Sequence, residues 1–381
     1  MPLSCSTSAH PENTLHPGRA LVARVDHGRL LHNLEVLRRA AKGLGILAVV
    51  KADAYGHGAV PVAQTLQSAG VEGFCVATLT EALELRQAGV SARILVFGST
   101  RPEAVPIAAA QAIDLTVVSA EHLRELAAII PQHTLGLHLK LDTGMGRSGI
   151  LLSELGGCLE LIRGLGASIQ GVMGHFASAE DPDPAFSDLQ RRRFRDALSQ
   201  LRDAGISAPM VHHANSAACL RGDLGGDTHV RCGIALYGTA DLEEAKQAGL
   251  RPILELRAEV LRAVRVPAGT TVGYGRTYTT PRPVKLATLN CGYADGYPRA
   301  LANRAVAGFR GGLHPVVGRV SMDSLTVAVP DTVAIVPGDT MTLMSPETGD
   351  PHSVVAIARL LGTIPYEVTC ALNRRVLRVR A

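Results

Sequence analysis

The sequence predicts an α/β fold: an eight-stranded β/α (TIM-type) barrel followed by a smaller, mainly β C-terminal domain. The 381 residues are too many for one ordinary domain. Short apolar runs alternate with longer amphipathic segments from about residue 46 to 240. From about residue 250, the sequence consists mainly of strand-like segments separated by Gly and Pro. Because 46% of the residues are hydrophobic, the chain can form well-packed cores.

Eight apolar runs are candidates for the barrel strands. They are ILAVV (46–50), FCVAT (74–78), RILVFG (93–98), DLTVV (114–118), LGLHLKL (135–141), IQGVMGH (169–175), MVHHAN (210–215) and HVRCGIALYG (229–238). Between them lie segments such as TLTEALELRQAG (78–89), whose Leu and Ala recur at helical spacing and whose last residue is Gly. We therefore expect a barrel domain over residues 19–245.

The second domain is expected over residues 246–381. Its apolar segments are LELRAEVLRAVRV (254–266), VKLATLN (284–290), HPVVGRVSMDSLTVAVP (314–330) and RRVLRVR (374–380), with one helical candidate at 352–362. The early strand 19–25 is not one of the eight candidate barrel strands, so we expect it to pair with this second domain. Residues 1–18 are rich in Ser, Pro and His, and we expect them to be disordered, without a signal peptide or anchor.

Composition argues against several classes of partner. The formal charge is only +4, and the basic run at 191–195 is typical of a solvated helix, which disfavours nucleic-acid binding. No apolar run is long enough to span a bilayer. The seven cysteines are scattered and never form C-x-x-C, so we expect reduced thiols and a cytoplasmic location. No H-E-x-x-H or clustered Cys/His spacing appears, and we expect no metal site.

Lys51 is the first candidate for chemistry. It follows ILAVV directly, and reactive groups of β/α barrels come from the carboxyl ends of the strands. A lysine at the mouth of an apolar barrel is partly desolvated, which lowers its pKa and makes it a competent Schiff-base nucleophile. On this evidence alone, a surface lysine after a strand remains the alternative.

The segment VVKADAYGHG (49–58) resembles the cofactor-lysine signature of the alanine racemases. Eight further segments resemble the family in the same order: HLKLDTGMGRSG (138–149), GHFASAE (174–180), HHANSAA (212–218), RCGIALYG (231–238), VGYGRTY (272–278), GYADGYPR (292–299), VGRVSMDS (317–324) and IPYEV (364–368). The resemblance covers nearly the whole chain. It implies a pyridoxal-phosphate enzyme that interconverts L- and D-alanine, supplying D-alanine for peptidoglycan. One departure is Ser321, where some relatives have Cys.

The resemblance also implies how the cofactor is held. Lys51 would bind it, and Arg231 would face the pyridine nitrogen as a hydrogen-bond donor, since a guanidinium is essentially never deprotonated in proteins. Hydroxyls and backbone amides would form a cradle for the phosphate. The matched cofactor-binding positions are Lys51, Tyr55, His175, Asn215, Ser216, Arg231, Gly233, Ile234 and Tyr366.

Racemisation by two bases needs a proton donor on each face of the substrate α-carbon. The resemblance assigns one face to Lys51 and the other to Tyr274 of the other subunit, with His175 linking that tyrosine to Arg231. It therefore implies a homodimer with shared active sites. From the residues alone, Tyr274 between two glycines could equally be a turn residue.

Substrate positions follow from the same resemblance. Arg147 and the backbone amide of Met322 would contact the substrate carboxylate. Lys140 matches a lysine that is often carbamylated in relatives, which would fix Arg147 in place. Tyr293 and Asp323 would line the substrate entryway.

Three other functions stay open as alternatives. One is a racemase for a wider set of small amino acids such as serine, because an apolar pocket rejects small differences poorly. A second is a non-catalytic pyridoxal-phosphate-binding protein, but such proteins are single barrels. A third is an amino-acid decarboxylase, whose glycine-rich phosphate loop and second-domain cysteine have no convincing match here.

Overall fold

The computed structural model describes residues 20–129, 135–165 and 168–381, so the expectation of disorder at 1–18 lies outside the described residues. The described residues divide into two compact units, His27–Arg251 and residues 20–26 together with Pro252–Ala381. The first unit extends a few residues beyond the expected boundary at 245. Asn33 accounts for this, because its Oδ1 accepts from the Arg251 N–H at 2.8 Å and its Nδ2 donates to the Arg251 carbonyl at 2.8 Å.

The first unit is a nearly closed barrel of parallel strands, which confirms the predicted fold class. Its eight strands are β2 (Gly45–Val49), β3 (Gly73–Val76), β4 (Arg93–Val96), β5 (Ile113–Val117), β6 (Gly136–Asp142), β8 (Ser168–Met173), β9 (Met210–His212) and β10 (His229–Cys232). They hydrogen-bond in the order β10-β2-β3-β4-β5-β6-β8-β9, and the short β7 (Ile150–Leu151) adds to β6. Backbone bonds from Thr228 N–H to Val211 O (2.8 Å) and from Arg231 N–H to Ala214 O (3.0 Å) join the two ends of this order.

Helices alternate with these strands. They are α1 (His27–Ala41), α3 (Ala59–Ser68), α4 (Leu79–Gln87), α5 (Val105–Ala110), α6 (Ala120–Ala127), α7 (Leu152–Gly164), α8 (Ala185–Asp203), α9 (Ser216–Leu220) and α10 (Glu243–Gln247); α2 (Lys51–Gly56) is treated with the site. The basic run lies on α8, but the expectation that it is solvated is wrong for Arg191. That side chain is buried, pairs with Asp223 and places its guanidinium 5.0 Å from the Phe176 ring centroid.

The second unit is built on one long strand, β11 (Leu254–Val266). The other strands are β1 (Leu21–Val25), β12 (Thr271–Val272), β13 (Tyr278–Thr279), β14 (Val284–Leu289), β15 (Val306–Phe309), β16 (Gly312–Pro315), β17 (Leu325–Val329), β18 (Thr340–Met344) and β19 (Leu377–Arg380). The main order is β16-β15-β18-β11-β1-β19, with β14 pairing both β11 and β17, and β12 pairing β13. A register shift between Val260 and Arg262 lets β11 pair with β1 and β18 along its first half and with β14 along its second.

The described part of this unit has two α-helices, α11 (Val354–Leu361) and α12 (Pro365–Cys370), where the sequence predicts only one. The prediction was wrong because α12 is short. Pro365 stands at its first position, where the missing N–H and fixed φ favour helix initiation. Across the described ranges, no helix is long and apolar enough to cross a bilayer.

Candidate active site

A cavity of about 410 Å³ lies at the carboxyl ends of the barrel strands. Among the described residues, its lining includes two lysines and two arginines but no carboxylate: Lys51, Lys140, Arg147 and Arg231. Its volume falls within the range of small-molecule sites. A cavity with four cationic groups and no counter-charge attracts anions, so this one is suited to a ligand with phosphate or carboxylate groups.

Lys51 opens α2, which is a single left-handed turn. Ala52, Asp53, Ala54 and Tyr55 all have φ between 52° and 54°. Each non-glycine residue in this conformation costs about 1–2 kcal/mol, so the turn stores about 4–8 kcal/mol. Such strain persists only where the surroundings over-determine the backbone, and it concentrates at functional sites. The turn places both Lys51 and Tyr55 in the lining of the cavity.

Glu81 on α4 holds the turn to the neighbouring strand. Its Oε1 accepts from the Ala52 N–H at 2.7 Å, while its Oε2 accepts from the N–H groups of Ala77 at 2.7 Å and Thr78 at 3.1 Å. The T-x-x-E capping pattern explains the bond to Thr78. It does not predict the bond to Ala52, which lies 29 residues earlier in the chain, so the sequence pattern does not identify Glu81 as a residue of the site.

Glu81→Ala is expected to destabilise the barrel by about 2–3 kcal/mol, because it removes the charged acceptor of three backbone N–H groups, of which that of Ala77 is partly buried. Urea unfolding of the cofactor-free protein measures this directly. Glu84→Ala is the matched control, since Glu84 lies on the same helix and is exposed. A loss for Glu81→Ala no larger than that of the control would contradict the role given to Glu81.

Tyr55 lines the cavity and lies next to a tight backbone turn at Gly233. Its ring packs on Tyr237 with centroids 5.0 Å apart, and the Tyr237 hydroxyl donates to the Val49 carbonyl at 2.8 Å. A Cβ added at Gly233 would lie 2.5 Å from the Tyr55 hydroxyl oxygen. The Gly233 N–H donates to Ser216 Oγ at 3.0 Å. Two hydroxyls and a backbone amide therefore converge in a space that only glycine leaves open.

The other two predicted cradle residues lie beside this point. Asn215 caps α9, where its Oδ1 accepts from the Ala218 N–H at 3.0 Å. Ile234 is buried and follows Gly233 directly. Neither side chain lines the cavity, so their contribution would be to shape the backbone that surrounds Ser216 and Gly233.

Arg231, buried on β10, is held by several acceptors. One of its terminal nitrogens, Nη1, contacts the His212 carbonyl and lies 3.1 Å from His212 Nδ1. The other, Nη2, donates to the Gly174 carbonyl at 2.7 Å and lies 3.0 Å from His175 Nδ1. Since a guanidinium only donates, both histidine Nδ1 atoms must be acceptors.

His175 follows β8 and lines the cavity. Burial, and then the charge of Arg231, hold the pKa of this imidazole well below its ordinary value, so it is neutral. Because Nδ1 accepts from Arg231, the single proton of the neutral ring resides on Nε2. His175 is therefore a hydrogen-bond donor through Nε2.

Lys140 and Arg147 complete the cationic lining. Lys140 Nζ donates to Ser148 Oγ at 2.5 Å, a partner that the sequence analysis did not identify. Burial, and then the nearby Arg147, lower the pKa of Lys140 to about 8. Asp142 shapes the loop that carries Arg147, because its Oδ1 accepts from the backbone N–H groups of Gly144 and Met145 at 2.9 Å each.

Tyr274 belongs to the second unit and stands at the turn between β12 and β13. The glycines on either side have φ of 68° and 72°, a conformation that favours glycine, so the turn depends on both. The Tyr274 side chain is 72% exposed in the single chain. The side chain of Tyr274 is therefore accessible to a ligand or to another chain.

The remaining predicted residues also belong to the second unit. The Met322 carbonyl accepts from the Ala294 N–H at 2.9 Å, which brings the loop of Met322 and Asp323 against Tyr293. Arg375 donates to Asp323 Oδ1 at 2.6 Å. Met322 and Tyr293 are exposed. Tyr366 lies in the first turn of α12 and is also exposed.

Comparison with known proteins identifies the same family along both units. The model of the alanine racemase N-terminal domain matches residues 25–241, and that of the C-terminal domain matches residues 253–380. The chain is 39% identical to an alanine racemase from Carboxydothermus hydrogenoformans, over 95% of this chain and 99% of that protein.

Solved structures agree with the family models. The chain matches an alanine racemase from a D-cycloserine-producing Streptomyces lavendulae with a TM-score of 0.89 and 34% identity, covering 96% of this chain and 98% of the other. It matches the Bartonella henselae alanine racemase, solved with covalently bound pyridoxal phosphate, with a TM-score of 0.84 and 29% identity, covering 96% and 100% of the two chains. The chain therefore belongs to the alanine racemase family of amino-acid isomerases.

Proposed function

We propose that this protein interconverts L-alanine and D-alanine by a two-base mechanism, with pyridoxal phosphate held on Lys51. The observation that carries the proposal is the cavity at the barrel mouth, where Lys51 shares the lining with three further cations and, as far as the described residues go, with no carboxylate. The positive charge of this cavity suits both an anionic cofactor and the carboxylate of an amino acid. The choice of alanine as the substrate is inferred from the relatives named alanine racemase.

The residues of the cavity fit pyridoxal phosphate. Lys51 offers an amine for the cofactor aldehyde, and the Tyr55 hydroxyl, Ser216 hydroxyl and Gly233 amide converge where a phosphate would lie. We propose that the backbone near Ile234, shaped by Asn215, adds to this cradle, and that Tyr366 contributes a second phenol. When bound, the cofactor delocalises the electron pair that remains on the α-carbon after its proton departs. Arg231 would donate to the ring nitrogen and remain charged.

The two protons are moved by the chain's own residues. Lys51 takes or returns the proton on one face of the α-carbon, and Tyr274 of the partner subunit does so on the other. His175 supports this step, because its Nε2–H can donate to the phenolate oxygen while its Nδ1 accepts from Arg231. The exposed Tyr274 is consistent with a homodimer in which each subunit completes its partner's site.

We propose that Arg147, together with the backbone amide of Met322 from the partner subunit, binds the substrate carboxylate. Tyr293 and Asp323 would then narrow the entryway. Arg147 lies in the cavity lining, on the loop held by Asp142, so its position is largely preset. We further propose a cytoplasmic location, which suits the absence of disulfides among the six cysteines of the described residues, and a role for the product D-alanine in peptidoglycan.

Lys140 is expected to react with carbon dioxide. The neutral amine attacks the carbon of carbon dioxide, a nitrogen–carbon bond forms while one carbon–oxygen π bond breaks and its electron pair moves onto oxygen, and an amine proton leaves to water, giving a carbamate anion beside Arg147. Because the pKa of Lys140 is lowered to about 8, the neutral amine becomes the major form as the pH rises through that value, and carbamylation should increase with it. Carbon-13 NMR with labelled bicarbonate at pH 7 and pH 9 tests this expectation. A carbamate signal that is the same in wild type and in Lys140→Gln would contradict it.

Incubation of the purified protein with L-alanine in heavy water tests the proposed function. We expect D-alanine to form with deuterium at the α-carbon. Faster conversion of serine than alanine would favour the broader racemase, and release of carbon dioxide would favour the decarboxylase. Absence of both D-alanine and α-deuteration would eliminate the racemase and favour a cofactor-binding protein without catalysis.

A further inference from the structure

A line of hydrogen-bonded side chains crosses the barrel interior and ends at Arg231. Arg231 Nη1 lies 3.1 Å from His212 Nδ1, His212 Nε2 lies 2.8 Å from His138 Nδ1, and His138 Nε2 lies 3.3 Å from Asp114 Oδ2. The four residues are buried and belong to β5, β6, β9 and β10. We call these four residues the interior line. The mechanism above uses only Arg231, the last of them.

Two glycines leave the space that the interior line occupies. A Cβ at Gly136 would lie 2.1 Å from Asp114 Oδ1, and a Cβ at Gly171 would lie 2.2 Å from His138 Nδ1. Both distances are far shorter than any real contact of a Cβ. Barrel interiors are ordinarily filled with branched apolar side chains. Here small residues on β6 and β8 make room for polar ones.

Only one arrangement of protons satisfies every bond of the line with neutral imidazoles. Arg231 can only donate, so His212 Nδ1 must accept, and the proton of His212 resides on Nε2. That proton is donated to His138 Nδ1, which places the proton of His138 on Nε2, from where it is donated to the Asp114 carboxylate. Arg93 pairs with the same carboxylate and balances its charge. Burial lowers the pKa of both histidines, which favours the neutral rings.

We propose that Asp114 and His138 are positioning residues for Arg231. Acting through His212, they keep a lone pair facing the guanidinium and so hold it in one orientation at the cavity. If the carboxylate were lost, His138 could turn its proton toward His212, and His212 would then present an N–H to an N–H of Arg231. Asp114, three contacts away from Arg231 along the interior line, thus influences the orientation of Arg231 without touching it. The proposal that Arg231 faces the cofactor ring nitrogen rests on the proposed function. The arrangement of protons along the interior line does not depend on it.

Nitrogen-15 NMR of histidine-labelled holoenzyme tests the arrangement. Long-range proton–nitrogen correlations distinguish protonated from unprotonated ring nitrogens, and His138→Gln and His212→Gln identify the two residues among the 14 histidines of the chain. We expect both rings to be neutral, with the proton on Nε2. A proton on Nδ1 of either ring, in either the neutral or the charged form, would overturn the proposal.

Asp114→Leu tests the functional consequence. We expect His138 and His212 to lose their single tautomer, and kcat to fall about 10- to 100-fold with a much smaller change in KM, as for other residues that orient a functional group from behind. Asp114→Asn retains an oxygen acceptor and should largely keep the tautomers and kcat. Thr116→Val is the matched control, because it removes a buried bond on the same strand, from Thr116 Oγ1 to the Val96 carbonyl at 2.6 Å.

Unchanged tautomers and kcat in Asp114→Leu would overturn the proposal, as would a loss of kcat equal to that of Thr116→Val. If Asp114→Leu does not fold, the tautomers of His138 and His212 in the wild-type protein decide whether the proposal stands. The two proposals fail separately: a holoenzyme that makes no D-alanine but has the expected tautomers refutes the proposed function and retains the interior line.

Discussion

Lys51→Ala is expected to lower the rate of D-alanine formation by at least about 10⁴-fold, the largest effect of any single substitution in this chain. Two contributions are lost together: the amine that binds the cofactor and the proton carrier on one face of the substrate, each a large factor in its own right. The measurements are the rate of D-alanine formation and the visible absorption of the bound cofactor. The band of the lysine-linked cofactor should disappear.

Lys246→Ala is the control for Lys51→Ala, because Lys246 is an exposed lysine on α10 whose only described partner is Glu243. It should retain wild-type absorption and turnover. Turnover within a few-fold of wild type in Lys51→Ala would remove Lys51 from the mechanism. Its place at the end of β2 would then be that of an ordinary cation of the cavity.

Tyr274→Phe is expected to lower turnover by about 10²- to 10⁴-fold, the usual contribution of a proton donor, while the absorption of the bound cofactor stays unchanged. The ring is retained, so packing changes little, and only the hydroxyl is lost. Because Lys51 still reaches its own face, one enantiomer of alanine should continue to exchange its α-hydrogen with heavy water without changing hand. Proton NMR in heavy water, started separately from L- and D-alanine, measures this difference.

Tyr278→Phe serves as the control for Tyr274→Phe, since Tyr278 lies on β13 in the same hairpin and is half-buried. It should retain near wild-type turnover. Equal loss of exchange from both enantiomers in Tyr274→Phe would show that the hydroxyl does not act on one face. Retained racemisation would remove Tyr274 from the reaction.

The barrel was predictable from the sequence because parallel strands are buried on both faces and therefore appear as continuous apolar runs. Each of the eight runs overlaps a strand of the barrel, although the runs 210–215 and 229–238 extend beyond β9 and β10. The strands that pair with β1 could not be predicted in the same way. Its pairing with β11 and β19 brings together segments from opposite ends of the chain, and no local pattern specifies which distant strands will meet.

The site was predictable in part, for a different reason. Lys51 is identifiable from its place after a strand, and the other predicted residues from their resemblance to a family. Glu81, Ser148 and Tyr237 act through contacts that arise only when separate segments meet. The left-handed turn that follows Lys51 is also hidden from the sequence, since Ala and Asp in the pattern KADAYG carry no strong preference for it and tertiary contacts must impose it.

The central claim is that each active site combines Lys51 of one subunit with Tyr274 of its partner. A heterodimer of one Lys51→Ala subunit and one Tyr274→Phe subunit, purified through two different affinity tags, tests this claim most directly. One of its two sites would carry both substitutions and the other neither, so we expect about half of the wild-type racemase activity, although each parent homodimer is nearly inactive. Activity of the heterodimer no higher than that of the two homodimers would contradict a shared active site.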